Sequence, residues 1–300
     1  MSPDFSKPLN QWITLVVLAF VWGSSFILMK RGLISFTADE IAALRIFTVF
    51  ITFLPFTYKR VKEVRGKSGL PLLAVGSFGS VLPYFLFVKS ITQINSSLSG
   101  ILNSLTPLFT LVFAKLIFKQ QFKIISIVGV ILGFIGAAGL IYFSGEGASF
   151  DSFTIYVLMP IVAASSYGLN VNIIKKYLQE LPSLSVTALS FYIVGPLAGI
   201  YLFFFTDFVA HLTQHPEGWA SLGYILILGI LGTALAVLLF NMMIKETSAL
   251  FASSVTYLIP IFAIMWGVLD GESFNFQQAA FVVFILIGIS LINSRRRFNK

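Results

Sequence analysis

"ETSALFASSVTYLIPIF", residues 246–262, is an apolar run long enough to enter a membrane yet broken by Ser253, Ser254, Thr256, Tyr257 and Pro260. The interruptions are ordered. Ser253, Thr256, Tyr257 and Pro260 fall at i, i+3, i+4 and i+7, so on one continuous helix they share a face. Lipid penalises a polar, proline-ended stripe of this kind, whereas a water-filled interior between helices tolerates it.

The stripe has a counterpart. Residues 72–109 align with residues 225–262 at a constant offset of 153 and without a gap. Leu73, Gly76, Gly79, Leu82, Phe87, Ile91, Leu105, Pro107 and Phe109 recur as Leu226, Gly229, Gly232, Leu235, Phe240, Ile244, Leu258, Pro260 and Phe262. Gly100, Asn103, Ser104 and Pro107 thereby match the opening stripe, and after a one-residue slip Gly136 meets Gly288. The chain therefore reads as two copies of one unit.

Composition says what kind of unit. Of 300 residues, 57% are hydrophobic and 11% charged, against roughly 45–50% and 25% in soluble domains. Runs near 20 apolar residues fit a hydrocarbon core about 30 Å thick. Ten are read, at 12–30, 39–58, 70–90, 97–118, 124–143, 154–174, 184–205, 219–242, 249–269 and 277–293. The expected fold is an all-α membrane protein of ten transmembrane helices, with repeats spanning 12–143 and 154–293. An odd number of crossings per repeat turns the second copy upside down, the plan of many secondary transporters with a midplane site between halves.

Connections are short, the longest being "TDFVAHLTQHPEGW" before the eighth run, which leaves no room for a soluble catalytic domain between spans. The first run is too long for a signal-peptide core and is followed by "LMKRGLISF" rather than a small-residue cleavage site. With the N-terminus placed inside, sixteen Lys and Arg fall on the cytoplasmic side and three, Lys30, Arg31 and Lys89, on the other. That asymmetry predicts both termini in the cytoplasm, in a bacterial cell membrane. It also assigns the net charge of +8 to topology rather than to nucleic acid.

Candidate solute-binding residues follow from polarity at depth. Asn103, Ser104, Ser253, Thr256 and Tyr257 come from the paired stripes, Tyr167 and Asn170 from "AASSYGLNVN", Trp22 and Ser25 from "FVWGSSF", and Tyr84 from beside Pro83. Each has a packing alternative, since small and hydroxyl residues also let helices approach closely. Pro107 and Pro260 each remove a backbone donor and are the candidate hinges. Gly129 and Gly133 form a GxxxG face suited to helix packing or a dimer contact. Arg45, in "ADEIAALRIFTVF", either anchors a solute anion or snorkels outward toward Asp39 or Glu40.

These residues resemble the drug/metabolite transporter superfamily, in its EamA-like branch. The similarity rests on "FVWGSSF", Arg45, "SSLSGILNSLTPLFTLVFAKLIF" and "SALFASSVTYLIPIFAIMWGVLDGE", and covers nearly the whole chain. Where the family usually carries a Glu after the fourth helix this chain has Lys119, while Glu272 keeps the equivalent position in the second half. The resemblance implies a basket of helices around a central cavity, alternating access, and transport of small polar metabolites such as amino acids, or drug-like compounds.

Rival classes fare worse. His211 and His215 lie together in one outer loop, and neither an acidic pair nor HExxH stands within a span, which argues against an enzyme. With no Cys there is no thiol nucleophile, and no cofactor or metal is expected. A channel would need a pore-length ring of charges. The expected partners are a small-molecule substrate and the bilayer, with the chain a monomer or homodimer. The absence of an acid at mid-depth points to uniport or exchange rather than proton coupling.

Overall fold

The computed structural model describes residues 5, 7–58, 60–94, 96–143, 155–269 and 276–293. Glu272, Lys59 and the basic tail at 295–300, which entered the sequence reading, lie outside them. Every regular element among the described residues is helical. In order these are α1 (Pro8–Gly32), α2 (Ala38–Thr57), a short 3-10 turn, α3 (Gly69–Gly76), α4 (Leu82–Ser90), α5 (Ser96–Asn103), α6 (Thr106–Leu116) and α7 (Ile124–Tyr142). Then come α8 (Ile155–Tyr177), α9 (Ser183–Phe204), α10 (Phe208–Gln214), α11 (Gly218–Gly229), α12 (Ala236–Glu246), α13 (Ala249–Ser253), α14 (Val255–Leu269) and α15 (Phe276–Ile292).

Local chemistry sets the ends. Thr37 and Glu40 close a reciprocal capping box at the start of α2, satisfying two donors that the first turn leaves over. Lys30 and Arg31 occupy the last turn of α1, and Lys175 and Lys176 that of α8, where the negative end of the helix dipole favours cations. This gives Lys30 and Arg31 a local reason to stand on the side where basic residues are otherwise sparse.

Six helical passages are long and apolar enough to cross a membrane: 8–32, 38–57, 69–90, 155–177, 183–204 and 218–246. Four shorter apolar helices accompany them. Two expected spans are not single helices. Span 97–118 breaks after Asn103 and resumes at Thr106, and span 249–269 breaks at Ser254. Conversely, α3 and α4 are joined through a π-helical turn at Ser77–Val81, and α11 and α12 through another at Ile230–Leu235. The two π turns begin at positions 153 residues apart, each directly after the first of the recurring glycines Gly76/Gly79 and Gly229/Gly232 and containing the second.

Contacts between the first and second halves come in matched pairs. α1 packs on α14, and α6 packs on α8; α1 meets α11 and α12, and α8 meets α3 and α4; α2 lies against α9 and α7 against α15. Glycines set the closest of these. A side chain on Gly288 would meet the Gly133 nitrogen at 2.6 Å and the Gly129 carbonyl oxygen at 2.8 Å. The GxxxG face is thus covered by α15 of the same chain. Outward surfaces carry apolar residues such as Phe20, Ile51, Ile131, Leu197 and Val283, as lipid contact requires.

Candidate functional site

Where the halves meet, the helices leave a central cavity of about 120 Å³, roughly ten times the least volume that holds one water. Of the residues singled out in the sequence, Trp22, Ser25, Arg45, Tyr84, Asn103, Tyr167, Asn170, Ser253 and Thr256 line it. Ser104 and Tyr257 do not.

The break at Ser254 accounts for Tyr257. Ser253 ends α13 and Thr256 belongs to α14, so the turn between them resets the helical phase and divides the stripe. Tyr257 is fully buried, its ring lies over Gly133 of α7, and its hydroxyl donates to the Val130 carbonyl at 2.8 Å. It packs against α7, away from the cavity. Ser104 sits between the two broken passages, its hydroxyl 3.0 Å from the Gly100 carbonyl and 3.3 Å from that of Thr256.

The prolines have specific consequences. Pro107 is the second residue of α6 and Pro260 lies inside α14, so the carbonyls four residues earlier, of Asn103 and Thr256, lose their usual N–H partners. Thr106 donates its hydroxyl to the Asn103 carbonyl at 2.7 Å, and Ser104 reaches that of Thr256. Both freed carbonyls thus have hydroxyl partners within the chain.

Arg45 faces the cavity instead of snorkelling. Its guanidinium lies 4.0 Å from the centre of the Tyr84 ring, and its Nε donates to the Thr233 hydroxyl in the second π turn. The carboxylates expected to draw it outward have other partners: Asp39 is 3.9 Å from Lys89, and Glu40 is 3.0 Å from His211. His215 bonds Ser35, which in turn bonds Ser221, tying the α10 region to the α1–α2 connection.

Trp22 and Ser25 on α1 correspond to Tyr167 and Asn170 on α8, each pair 145 residues apart, with Gly23 and Gly168 between them in register. Trp22 donates Nε1–H to the Gly232 carbonyl at 2.9 Å, inside the π turn. Tyr167 stacks on Phe87. The Asn170 amide lies against Gly79, where a Cβ would approach within 2.7 Å of its nitrogen, and its Oδ1 is buried with no hydrogen-bond partner.

Sequence reasoning missed Thr106, Ser190 and Asn241, which also line the cavity. Asn241 donates to Thr187 at 2.9 Å. An Asn near the end of an expected span was the available signal. The hydroxyls of Ser25 and Ser253 already donate to carbonyls of their own helices, and that of Thr256 to the Ser253 carbonyl across the break. Their oxygens therefore present acceptor lone pairs to whatever fills the space.

The chain matches the family described as "EamA-like transporter family" over residues 10–142 and again over 154–294. An uncharacterized transporter of Archaeoglobus fulgidus is 24% identical over 291 residues, covering 96% of this chain and 100% of that protein. The uncharacterized transporter YyaM of Bacillus subtilis is 24% identical, covering 94% and 93%. The uncharacterized inner membrane transporter YedA of Escherichia coli is 25% identical, covering 96% and 92%. A solved crystal structure superimposes with a TM-score of 0.70 at 13% identity, covering 95% of this chain and 96% of that one, a likeness of fold alone. Two family matches that together span nearly the whole chain, over helices enclosing a central cavity, make this protein a member of the EamA-like transporter family.

Proposed function

We propose that this transporter is a secondary carrier that moves a small polar solute through the central cavity by alternating access. Its working architecture is ten membrane passes in two inverted five-helix repeats, 12–143 and 154–293. The observation that carries the reading is the cavity itself, lined by both halves and bearing polar side chains from helices that otherwise face lipid. Support for the repeats comes from the matched packing of the halves, the π turns 153 residues apart and the twofold family match. The charge asymmetry puts both termini in the cytoplasm, and an inner membrane relative from Escherichia coli favours a bacterial cell membrane.

Each helical break is a point where a rigid segment can tilt without disturbing the rest of the bundle. Pro107 lies just past the break of the first half and Pro260 inside α14, beyond the break of the second, and they act as hinges for opening to opposite sides. The carrier reading is tested by flux in proteoliposomes across a panel of labelled metabolites, with Thr256→Trp as the variant that fills the cavity. Saturable flux that this variant abolishes, while it still inserts and folds, is the expected result. Flux linear with concentration and indifferent to Thr256→Trp belongs to a channel or a leak.

A further inference from the structure

We infer that the cavity takes a small organic anion, a carboxylate carrying one hydrogen-bond donor, with Arg45 binding the carboxylate and Asn170 accepting from the donor. This rests on the carrier reading and narrows its substrate.

Among the described lining residues, Arg45 is the one ionised side chain. It is buried, with 8% of its surface exposed, and its described partners are a hydroxyl and a ring face. A guanidinium so placed has left bulk solvent and, among the described residues, pairs with no carboxylate, an expensive state that an incoming anion relieves. Holding Nε on Thr233 and the guanidinium plane against Tyr84 orients the group before the anion arrives. Its two terminal nitrogens are the atoms suited to a bidentate carboxylate.

A second lining group is an acceptor. Asn170 is 7% exposed, lines the cavity and has an unpartnered Oδ1. It lies against Gly79, in the π turn that leads into α4, and α4 carries the Tyr84 ring over which Arg45 sits. A carboxylate with a hydroxyl on the neighbouring carbon carries a partner for each of these two lining groups, an anion for Arg45 and a donor for Asn170. Ser25, Ser253 and Thr256 add acceptor oxygens and no charge. A zwitterion would bring no net charge to neutralise Arg45 and would strip water from an ammonium with no described carboxylate in the wall to replace it.

The test uses the detergent-purified full chain and matched triads of three to six carbons: a 2-hydroxy acid, its amide and the corresponding amino acid. Binding is read by thermal shift and flux by counterflow. The hydroxy acid should bind at least about tenfold tighter than its amide, the scale of one charge-assisted bidentate pair, and tighter than the amino acid. Arg45→Gln should bring the acid-to-amide ratio near one, and Arg45→Lys should keep part of the ratio. Asn170→Asp provides a second reading that leaves Arg45 intact, and should reverse the preference toward the amino acid. The inference is overturned if the amide or amino acid binds as well as the acid, if the ratio survives in Arg45→Gln, or if no member of any triad binds. A neutral or cationic solute carried by the unaltered protein would sink the anion assignment and leave the carrier standing, whereas absence of flux for every solute tested would sink both.

Discussion

The Ser104 hydroxyl lies 3.3 Å from the Thr256 carbonyl, the carbonyl that Pro260 cannot bond. A small polar residue between α5 and α6 thus reaches a defect in α14, across the seam between the two halves. The contact lies between the two broken passages and brings the two breaks together.

Ser104→Ala leaves the Thr256 carbonyl without this partner in a buried place. An unmet buried acceptor costs about 1–3 kcal/mol, so the variant should melt several degrees lower in detergent. Thr106→Val, which strips the partner from the Asn103 carbonyl, should cost a similar amount. Unchanged melting in both would show that these bonds contribute nothing.

Tyr257 and Thr256 are adjacent in sequence and separate in role. Tyr257→Phe removes a buried hydrogen bond to Val130 and should lower stability by about 1 kcal/mol with the apparent KM of transport unchanged. Thr256→Val alters the cavity wall and should raise KM with little loss of stability. An altered KM in Tyr257→Phe would return that residue to the binding site.

Close approach of α7 and α15 depends on Gly288. Replacing it with Val drives methyl groups into the Gly129 carbonyl and Gly133 nitrogen, both backbone atoms that cannot rotate aside. Overpacking against fixed atoms costs about 1–3 kcal/mol or more, and the folded yield of Gly288→Val should fall sharply. The control is Gly223→Ala, whose added Cβ meets nothing within 4 Å and should be neutral.

The hinge reading predicts opposite effects from equivalent prolines. Pro107→Ala and Pro260→Ala should bias the accessibility of a cysteine at Ser253 toward opposite sides of the membrane, with binding less affected than translocation. Restoring an interior helix donor, as Pro260→Ala does, is worth up to about 3 kcal/mol, enough to shift a balanced equilibrium strongly, while Pro107→Ala acts in the first turn of α6, where its effect should be smaller. Shifts in the same direction would make the breaks architectural only.

Orientation can be checked in the same Cys-free background. A cysteine at Gln214, exposed at the end of α10, should react with an impermeant thiol reagent applied to intact cells, and one at Lys67, exposed before α3, should react only after lysis. Reaction of the Lys67 variant in intact cells would invert the topology.

Composition and period alone determined that the chain is helical and apolar, and the offset of 153 marked which segments correspond, because lipid allows so few ways to satisfy a backbone and a repeat leaves matching residues behind. Polarity at depth was enough to bring Trp22, Arg45, Tyr84, Asn103, Asn170 and Thr256 forward. Where each side chain points depended on phase. The break at Ser254 turns Tyr257 onto Gly133 while Thr256 stays on the cavity, a distinction that uniform 3.6-residue spacing erases. Nor could spacing decide Arg45. Its direction was settled when His211 and Lys89, brought close by folding, took Glu40 and Asp39, and when Tyr84 and the π turn at Thr233 gave the guanidinium a place beside the cavity. A side chain's partners come from the whole chain, and only the tertiary structure says which of them arrive first.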